Sequence, residues 1–275
     1  GKGPGELKNQ RVMVAGAGSA GIGVATALAD AMVMGGLSME EACQQFWVCD
    51  INGVLDSANE LEPQQLPFGR SDDTVGLSLE DCMKTVKPTV LIGLSTVGGL
   101  FKEPLIREMG KHAEQPIIFP LSNPTSRAEC SNEQALEWTN GRAIFASGSP
   151  FESYNFQGKT YVPSQCNNMY IFPGLGLGAT LCRAVKVSDG MIYAASQAVA
   201  ASVTEEEAAA GMVFPDVGRV REVSHRVACY VIRAASKENL DREKFAANMD
   251  EDELSSFVSD KMYDPVYVPL AQRLA

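Results

Sequence analysis

Residues 11–23 read RVMVAGAGSAGIG, in which a short apolar run leads into a glycine-rich turn and then into a helical pattern. The run has the length and the β-branched content of a buried strand. Gly16 permits a tight turn after that strand, and Gly18 leaves the backbone open to the close approach of a phosphate group. Ser19 and Ala20 begin the helix, whose unpaired N–H groups attract an anion. We therefore predict that these four residues bind the pyrophosphate of a dinucleotide; the alternative is a tight turn without a ligand.

Apolar runs recur along the first half of the chain, separated by stretches with helical patterns. After the first, the runs are 46–49 (FWVC), 89–94 (TVLIGL), 116–121 (PIIFPL) and 143–146 (AIFA). They are apolar on both faces, as the strands of a parallel sheet covered by helices must be. Alternation of strand and helix is typical of doubly wound folds. The pattern predicts an α/β fold of Rossmann type, with a doubly wound, mostly parallel sheet.

The character of the chain changes after Gly148. Residues 149–166 have the composition of a loop, and most of the chain from residue 167 onward has helical patterns. The tail 262–270 contains two prolines and cannot form a regular helix. We therefore predict a dinucleotide-binding domain over residues 1–186 and a helical C-terminal extension over residues 187–275, packed on the same domain.

Asp50 ends the second apolar run, where a dinucleotide site needs a carboxylate to accept hydrogen bonds from a ribose diol. It lies further along the chain than the usual spacing of about 20 residues after the glycines, so the crossover between the two strands must be long. A carboxylate at this position repels a 2′-phosphate, and no basic residue follows until Arg70. Asp50 therefore predicts NAD rather than NADP as the coenzyme.

Two further loops follow predicted strands. Thr96 and Val97 come after the run at 89–94, and Asn123 comes after the run at 116–121. In a doubly wound sheet the carboxyl ends of the strands line the ligand crevice. We therefore expect these three residues to face the nicotinamide half of a dinucleotide, although Asn123 alone could equally be a turn residue before a proline.

Charge and composition exclude several classes of function. The chain of 275 residues has 23 basic and 34 acidic side chains, a net charge of −11, so it would repel a nucleic acid. No apolar run approaches the roughly 20 residues that span a bilayer, and residues 1–10 carry no signal sequence. The seven cysteines never form a C-x-x-C pair and suggest reduced thiols. We expect an intracellular protein, cytoplasmic or in the mitochondrial matrix, with neither nucleic acid nor membrane as a partner.

Several motifs together resemble malic enzymes, in order along the chain from about residue 5 to residue 270. They are Gly16-Ala17-Gly18 with Gly23-Val24-Ala25, Cys49-Asp50, Ser122-Asn123-Pro124-Thr125 through Ala128-Glu129-Cys130, Ala146-Ser147-Gly148-Ser149-Pro150-Phe151, and Asn167-Asn168 with Tyr170-Ile171-Phe172-Pro173-Gly174. The resemblance implies oxidative decarboxylation of malate to pyruvate and CO2, with NAD(P) accepting the hydride.

The resemblance also implies roles for three asparagines. Asn123, Asn167 and Asn168 match the positions that contact malate and the nicotinamide ribose in that family, with Asn123 and Asn167 serving both coenzyme and substrate. An uncharged amide can bind a carboxylate without forming a tight ion pair that resists product release.

The resemblance places the remaining chemistry outside this chain. In the family, the catalytic tyrosine and lysine, the substrate arginine and the carboxylates that bind Mg2+ or Mn2+ precede the first strand, and only ten residues precede Arg11 here. We therefore expect no catalytic and no metal-binding residue in this chain, no malate oxidation by the chain alone, and a homo-oligomeric full-length enzyme.

Two alternatives stay open. One is a malolactic-type relative, which keeps the same coenzyme domain but releases lactate without net hydride transfer. The other is a non-catalytic module that binds NAD.

Overall fold

The computed structural model describes residues 7–263, so most of the predicted non-helical tail, residues 264–270, lies outside the described part. Contacts divide the chain into two compact units. One consists of Gly1–Asn168 with Ala200–Gly218, and the other of Met169–Val199 with Arg219–Ala275. These bounds differ from a division at residue 186, and the two predicted domains stay a prediction.

The first unit is built on a seven-stranded sheet. Its strand order is β3-β2-β1-β4-β5-β6-β9, and all neighbours are parallel except the pair β2–β3. The strands of this sheet are β1 (Val12–Ala15), β2 (Phe46–Asp50), β3 (Gly53–Val54), β4 (Val90–Gly93), β5 (Ile117–Pro120), β6 (Ile144–Ser147) and β9 (Ser164–Gln165). The predicted fold class is confirmed, and the five predicted strands lie within two residues of their expected bounds.

The stretch 149–166, which has the composition of a loop, is not one throughout. Strands β7 (Tyr154–Phe156) and β8 (Lys159–Tyr161) form an antiparallel hairpin, and β9 extends the main sheet by pairing with β6. Only two residues of β9 pair, too few to produce an alternating pattern in the sequence.

Helices cover both faces of this sheet. Those of the first unit are α1 (Ser19–Met34), α2 (Met39–Cys43), α3 (Leu79–Val86), α4 (Glu103–His112), α5 (Asn132–Trp138) and, as numbered along the chain, α8 (Glu205–Ala209). Side chains of one strand alternate between the faces. Met13 belongs to one buried cluster with Leu91 and Ile118, whereas Val14 belongs to a second with Val48. Two apolar layers explain why the strands are apolar at every position.

The second unit contains helices. They are α6 (Phe172–Leu181), α7 (Asp189–Ala200), α9 (Val220–Lys237) and α10 (Glu251–Lys261). Gly174 and Gly178 of α6 lie against α9, where a Cβ on Gly178 would lie 3.0 Å from the Cβ of Val231. The two helices therefore approach closely because the residues between them are small.

Among residues 7–263, no helix has both the length and the apolar character needed to cross a bilayer.

Candidate functional site

Five loops leave the same edge of the parallel sheet, and together they carry the predicted binding residues. Gly16 follows β1, Asp50 ends β2, Thr96 lies beyond β4, Asn123 lies beyond β5, and Asn167 follows β9. Because these strands are parallel, their carboxyl ends share one edge. The chain runs from β1 to β2 on one side and returns to β4 on the other, so the strand order reverses between β1 and β4, where doubly wound sheets bind their ligands.

Backbone hydrogen bonds continue beyond the strands and fix where the loops begin. The N–H of Gly16 donates to the Cys49 carbonyl at 2.8 Å, and the N–H of Leu94 donates to the Ala15 carbonyl at 2.8 Å. The N–H of Leu121 donates to the Gly93 carbonyl, again at 2.8 Å. The loops after β1, β4 and β5 therefore leave the sheet in register.

The glycine turn after β1 combines crowding with open space. Gly16 has φ of +122°, and a Cβ there would collide with the Leu94 carbonyl. A Cβ on Gly21 would overlap the Gly16 carbonyl, so Gly21 rather than Gly23 allows the close packing of helix on strand. At Gly18, in contrast, no atom lies within 4 Å of the point that a Cβ would occupy, and its φ of −75° suits any residue. Gly18 is thus not needed by the fold.

The N-terminus of α1 faces this open space. Its helical hydrogen bonds begin with the Ile22 N–H, which donates to the Gly18 carbonyl at 3.0 Å. No side chain caps the helix and its first turn contains no acidic residue. Ser19 and Ala20 are exposed there. Open space before uncapped N–H groups fits the pyrophosphate of a dinucleotide.

Asp50 is exposed at the end of β2, as a ribose ligand should be. Its Oδ1 accepts a 2.6 Å hydrogen bond from the N–H of Asn52, which orients the carboxylate. Nearby in the chain, the Nε2 of Gln65 donates to the Ala17 carbonyl at 2.9 Å and ties a second loop to the glycine turn. Gln65 was not expected from the sequence, because no motif marks it.

Arg70, the first basic residue after Asp50, is buried and contacts groups of its own unit other than Asp50. It is only 8% exposed, its guanidinium stacks over Trp47 at 4.4 Å, and it donates to the Phe46 carbonyl at 3.1 Å. It also pairs with Asp72 at 2.5 Å. Hydrogen bonding from Arg70 lowers the pKa of Asp72 to about 2. Arg70 thus serves the packing of β2.

Thr96 and Val97 are exposed on the loop after β4, and serines hold their backbone. The N–H of Thr96 donates to the Ser122 hydroxyl at 2.9 Å, and the N–H of Val97 donates to the Ser95 hydroxyl at 3.1 Å. Thr96 has φ of +60°, a left-handed conformation that β-branched residues rarely adopt. The loop is therefore held in a conformation that its sequence does not favour.

Glu129 lies beneath this loop, and the sequence analysis gave it no role of its own. It is 0% exposed, and its Oε1 accepts hydrogen bonds from the Ser95 hydroxyl at 2.8 Å and the Ser122 hydroxyl at 2.5 Å. Its chain position in the segment after Asn123 gives no sign that the carboxylate turns inward.

Asn123 is exposed after β5, and its peptide bond to Pro124 is cis. Its Oδ1 accepts a 2.5 Å hydrogen bond from the hydroxyl of Ser149, which follows β6. Gly148 makes this approach possible, because a Cβ there would lie 2.9 Å from the Asn123 Nδ2. With Oδ1 engaged, the amide presents Nδ2 as its donor.

Asn167 and Asn168 lie at the far side of the sheet. The N–H of Cys166 donates to the Ser147 carbonyl at 2.8 Å and places Asn167, which is partly buried, just beyond β9. Asn168 is exposed and begins a short 3-10 turn. Strands β1, β4, β5 and β6 separate β9 from β2, so the structure does not bring these asparagines to Asp50.

The two histidines both lie against backbone carbonyls. The Nε2 atoms of His112 and His225 lie 3.1 Å and 2.8 Å from the carbonyl oxygens of Pro88 and Ser255. Burial lowers the pKa of His112. Within residues 7–263, no three His, Cys, Asp or Glu side chains group in a way that could hold a metal ion.

A family model described as "Malic enzyme, NAD binding domain" matches residues 2–236. The chain belongs to this family. The match spans all the predicted binding residues, from Gly16 to Asn168, and confirms the resemblance seen in the sequence.

Relatives from distant organisms carry the same family name. The NADP-dependent malic enzyme of Dictyostelium discoideum is 45% identical over 264 residues, covering 95% of this chain and 48% of the relative. NAD-dependent malic enzyme 3 of Bacillus subtilis is 40% identical over 275 residues, covering 96% of this chain and 47% of the relative. The chain therefore spans about half the length of the curated relatives it matches.

Solved structures share the fold. The malic enzyme from Pyrococcus horikoshii Ot3 matches with a TM-score of 0.71 and 25% identity, over 92% of this chain and 53% of that one. The Entamoeba histolytica malic enzyme matches with a TM-score of 0.71 and 23% identity, over 92% and 48%.

Proposed function

We propose that this chain is the coenzyme-binding part of a malic enzyme that oxidatively decarboxylates malate to pyruvate and CO2. One observation carries the proposal: the loops beyond β1, β2, β4, β5 and β9 all leave the same edge of the sheet, and the loop after β1 leads into an uncapped helix N-terminus with open space before it. The relatives and solved structures described above are all named malic enzymes, which favours neither a malolactic enzyme nor a module without catalysis.

In this proposal the residues divide along the coenzyme. Gly16, Gly18, Ser19 and Ala20 hold the pyrophosphate, and Asp50 binds the adenosine ribose. Thr96 and Val97 lie beside the nicotinamide, with Asn123 and Asn167 at the nicotinamide ribose. The bound coenzyme supplies the acceptor for the hydride. The chain's own part is to fix the orientation of that acceptor, since catalysis depends strongly on the alignment of reacting groups.

We propose NAD as the preferred coenzyme. Asp50 is exposed where a 2′-phosphate would lie and repels it, and Arg70 cannot compensate because Trp47, Asp72 and backbone carbonyls hold its guanidinium. The relatives' names include both NAD- and NADP-dependent enzymes, so the preference depends on these side chains.

Asn123, Asn167 and Asn168 are proposed to bind the substrate. The Ser149 hydroxyl engages the Oδ1 of Asn123, so the Nδ2 of this exposed amide is the group that can donate to a carboxylate of malate or pyruvate. A neutral donor binds an anionic product less tightly than an arginine would, which favours release.

The rest of the reaction is proposed to depend on groups outside this chain, namely the general acid and base and the ligands of Mg2+ or Mn2+. We propose that the isolated chain is inactive and that the full-length enzyme is a homo-oligomer. All seven cysteines are free thiols, which supports a cytoplasmic or mitochondrial matrix location. The net charge of −11 disfavours nucleic acid as a partner, and we propose no membrane partner. Two relatives, from Arabidopsis thaliana and Solanum tuberosum, are named mitochondrial enzymes.

Product analysis of the full-length protein tests this proposal. We expect malate and NAD to give pyruvate, CO2 and NADH in equal amounts, and the variant Gly18→Val to lose this activity. Lactate without NADH would indicate the malolactic reaction instead. Binding of NAD without any turnover would indicate a binding module.

A further inference from the structure

Glu129 is a buried carboxylate that the described residues hold by hydrogen bonds and not by an ion pair. It is 0% exposed, and within residues 7–263 no lysine, arginine or histidine forms an ion pair with it. Burying a carboxylate is costly unless hydrogen bonds replace its hydration. A site that served packing alone would be filled at lower cost by an apolar side chain.

The hydrogen bonds that replace hydration all come from two loops at the crevice. Oε1 accepts from the Ser95 N–H at 3.0 Å, the Ser95 hydroxyl at 2.8 Å and the Ser122 hydroxyl at 2.5 Å. Oε2 lies 3.4 Å from the N–H of Ser122. The carboxylate therefore joins the loop after β4 to the loop after β5.

Each serine passes this constraint on to the exposed loop. A hydroxyl has one proton, and here both hydroxyls donate it to Glu129. The lone pairs of the Ser122 hydroxyl are then left to accept a hydrogen bond from the N–H of Thr96. Those of the Ser95 hydroxyl accept one from the N–H of Val97. The carboxylate thus decides the direction of both serine hydroxyls, and these hold Thr96 in its left-handed conformation.

The surrounding backbone is shaped around this carboxylate. A side chain at Gly93, the last residue of β4, would collide with the carboxyl group of Glu129. The Glu129 carbonyl accepts the N–H of Phe101 at 2.9 Å, and the Ala128 carbonyl accepts the N–H of Gly99 at 3.0 Å. Glu129 and its neighbour therefore also hold the far end of the loop that begins at Ser95.

We propose that Glu129 is a positioning residue that, through Ser95 and Ser122, sets the Thr96–Val97 loop against the nicotinamide end of the coenzyme. This inference rests on the proposed function, since it needs a dinucleotide bound with its nicotinamide half at β4 and β5. It predicts that Glu129 affects one end of the coenzyme and not the other.

A comparison of two probes in the full-length protein separates this role from a general loss of structure. ADP-ribose lacks only the nicotinamide of NAD, so in the proposed site it would contact the glycine turn and Asp50 in the same way as NAD. Glu129→Gln keeps the size of the side chain but replaces one carboxylate oxygen by an NH2 group. This group cannot accept the hydrogen bonds that the carboxylate accepts from backbone N–H groups. We expect the Kd of NAD to rise about tenfold and that of ADP-ribose to change less than twofold.

Ser122→Ala is the second variant, and it removes one hydroxyl rather than a buried charge. It should also lower the affinity for NAD and not that for ADP-ribose. The double variant should bind NAD no less tightly than the more damaged of the two single variants, because both changes break the same chain of hydrogen bonds. Thr139→Val is the matched control. Thr139 caps the carboxyl end of α5 and is 1% exposed, and its hydroxyl donates to the Ala135 carbonyl at 2.7 Å and accepts from the Ala143 N–H at 3.0 Å.

The outcomes distinguish this inference from the proposal beneath it. If the unchanged protein binds neither NAD nor ADP-ribose, the proposed function has failed and this inference fails with it. If the unchanged protein binds both, equal weakening of the two probes in Glu129→Gln and Ser122→Ala, or weakening of neither, overturns the positioning role alone. Selective loss of NAD affinity in Thr139→Val would overturn it too.

Discussion

The backbone N–H of Gly16 donates a 2.8 Å hydrogen bond to the carbonyl of Cys49, the residue before Asp50. This bond extends the parallel ladder between β1 and β2 by one residue beyond the pair Ala15 and Cys49. The glycine turn and the proposed ribose carboxylate thus leave the sheet side by side. The adenosine half of the proposed site follows directly from strand pairing.

A side chain at Gly18 should block the coenzyme without disturbing the fold. No atom lies within 4 Å of the position that its Cβ would occupy, so Gly18→Val meets no protein atom there. We expect at least a hundredfold loss of NAD affinity, by calorimetry on the full-length protein. The free energy of unfolding should fall by about 1 kcal/mol or less, since valine is a poorer N-cap than glycine.

Gly23→Ala is the control for this variant. Gly23 is exposed on α1 and also has open space at its Cβ position. Alanine there should leave NAD affinity unchanged and stabilise the helix by up to about 1 kcal/mol. Equal NAD affinity in Gly18→Val and Gly23→Ala would remove the pyrophosphate from this turn.

Gly16→Ala should instead damage the fold. Its φ of +122° is unfavourable for alanine, and the new Cβ would collide with the Leu94 carbonyl in the next strand. We expect the free energy of unfolding to fall by about 2–4 kcal/mol, measured by urea unfolding. A loss within about 0.5 kcal/mol, the range of an ordinary surface substitution, would mean that the turn adopts another conformation.

Asp50→Ala should weaken NAD about tenfold and narrow its lead over NADP, because the ribose loses an acceptor and the 2′-phosphate loses a repelling charge. Asp56→Ala is the matched control, since Asp56 also accepts from the N–H two residues on, at 2.8 Å. Titrations with both coenzymes check the prediction. An unchanged NAD affinity in Asp50→Ala, or equal losses in the two variants, would exclude Asp50 from the site.

The Arg70–Asp72 pair should make stability depend on acid. Arg70 lowers the pKa of Asp72 to about 2, below the ordinary value of 3.8. A depressed pKa stabilises the folded state above the unfolded value, and this contribution is lost as the pH falls toward 2. At pH 7, Asp72→Asn should therefore unfold at a lower urea concentration than the unchanged protein, and the difference between the two midpoints should be smaller at pH 3. An equal difference at both pH values would contradict this.

The sequence was sufficient for the sheet because its strands are apolar on both faces and end in recognisable turns. The tight turn at Gly16 could be predicted from residue type, since no side chain fits there, whereas the binding of a phosphate at Gly18 stays a prediction. The position of Asn123 follows likewise from the end of its strand.

The supporting contacts could not be predicted. Ser149 reaches Asn123 from a different loop, and Glu129 reaches Ser95 across 34 positions of the chain. Such pairs depend on which strands become neighbours, not on local pattern. The strand at Ser164–Gln165 was missed for a similar reason, since its pairing with β6 comes from the tertiary fold.

Calorimetric titration of the full-length protein with NAD and, separately, with NADP at one moderate salt concentration tests the central claim most directly. The claim is that the glycine turn after β1 and Asp50 form a dinucleotide site that prefers NAD. We predict saturable binding of both coenzymes, with NAD the tighter ligand. Tighter binding of NADP, or no binding of either coenzyme, would contradict this claim.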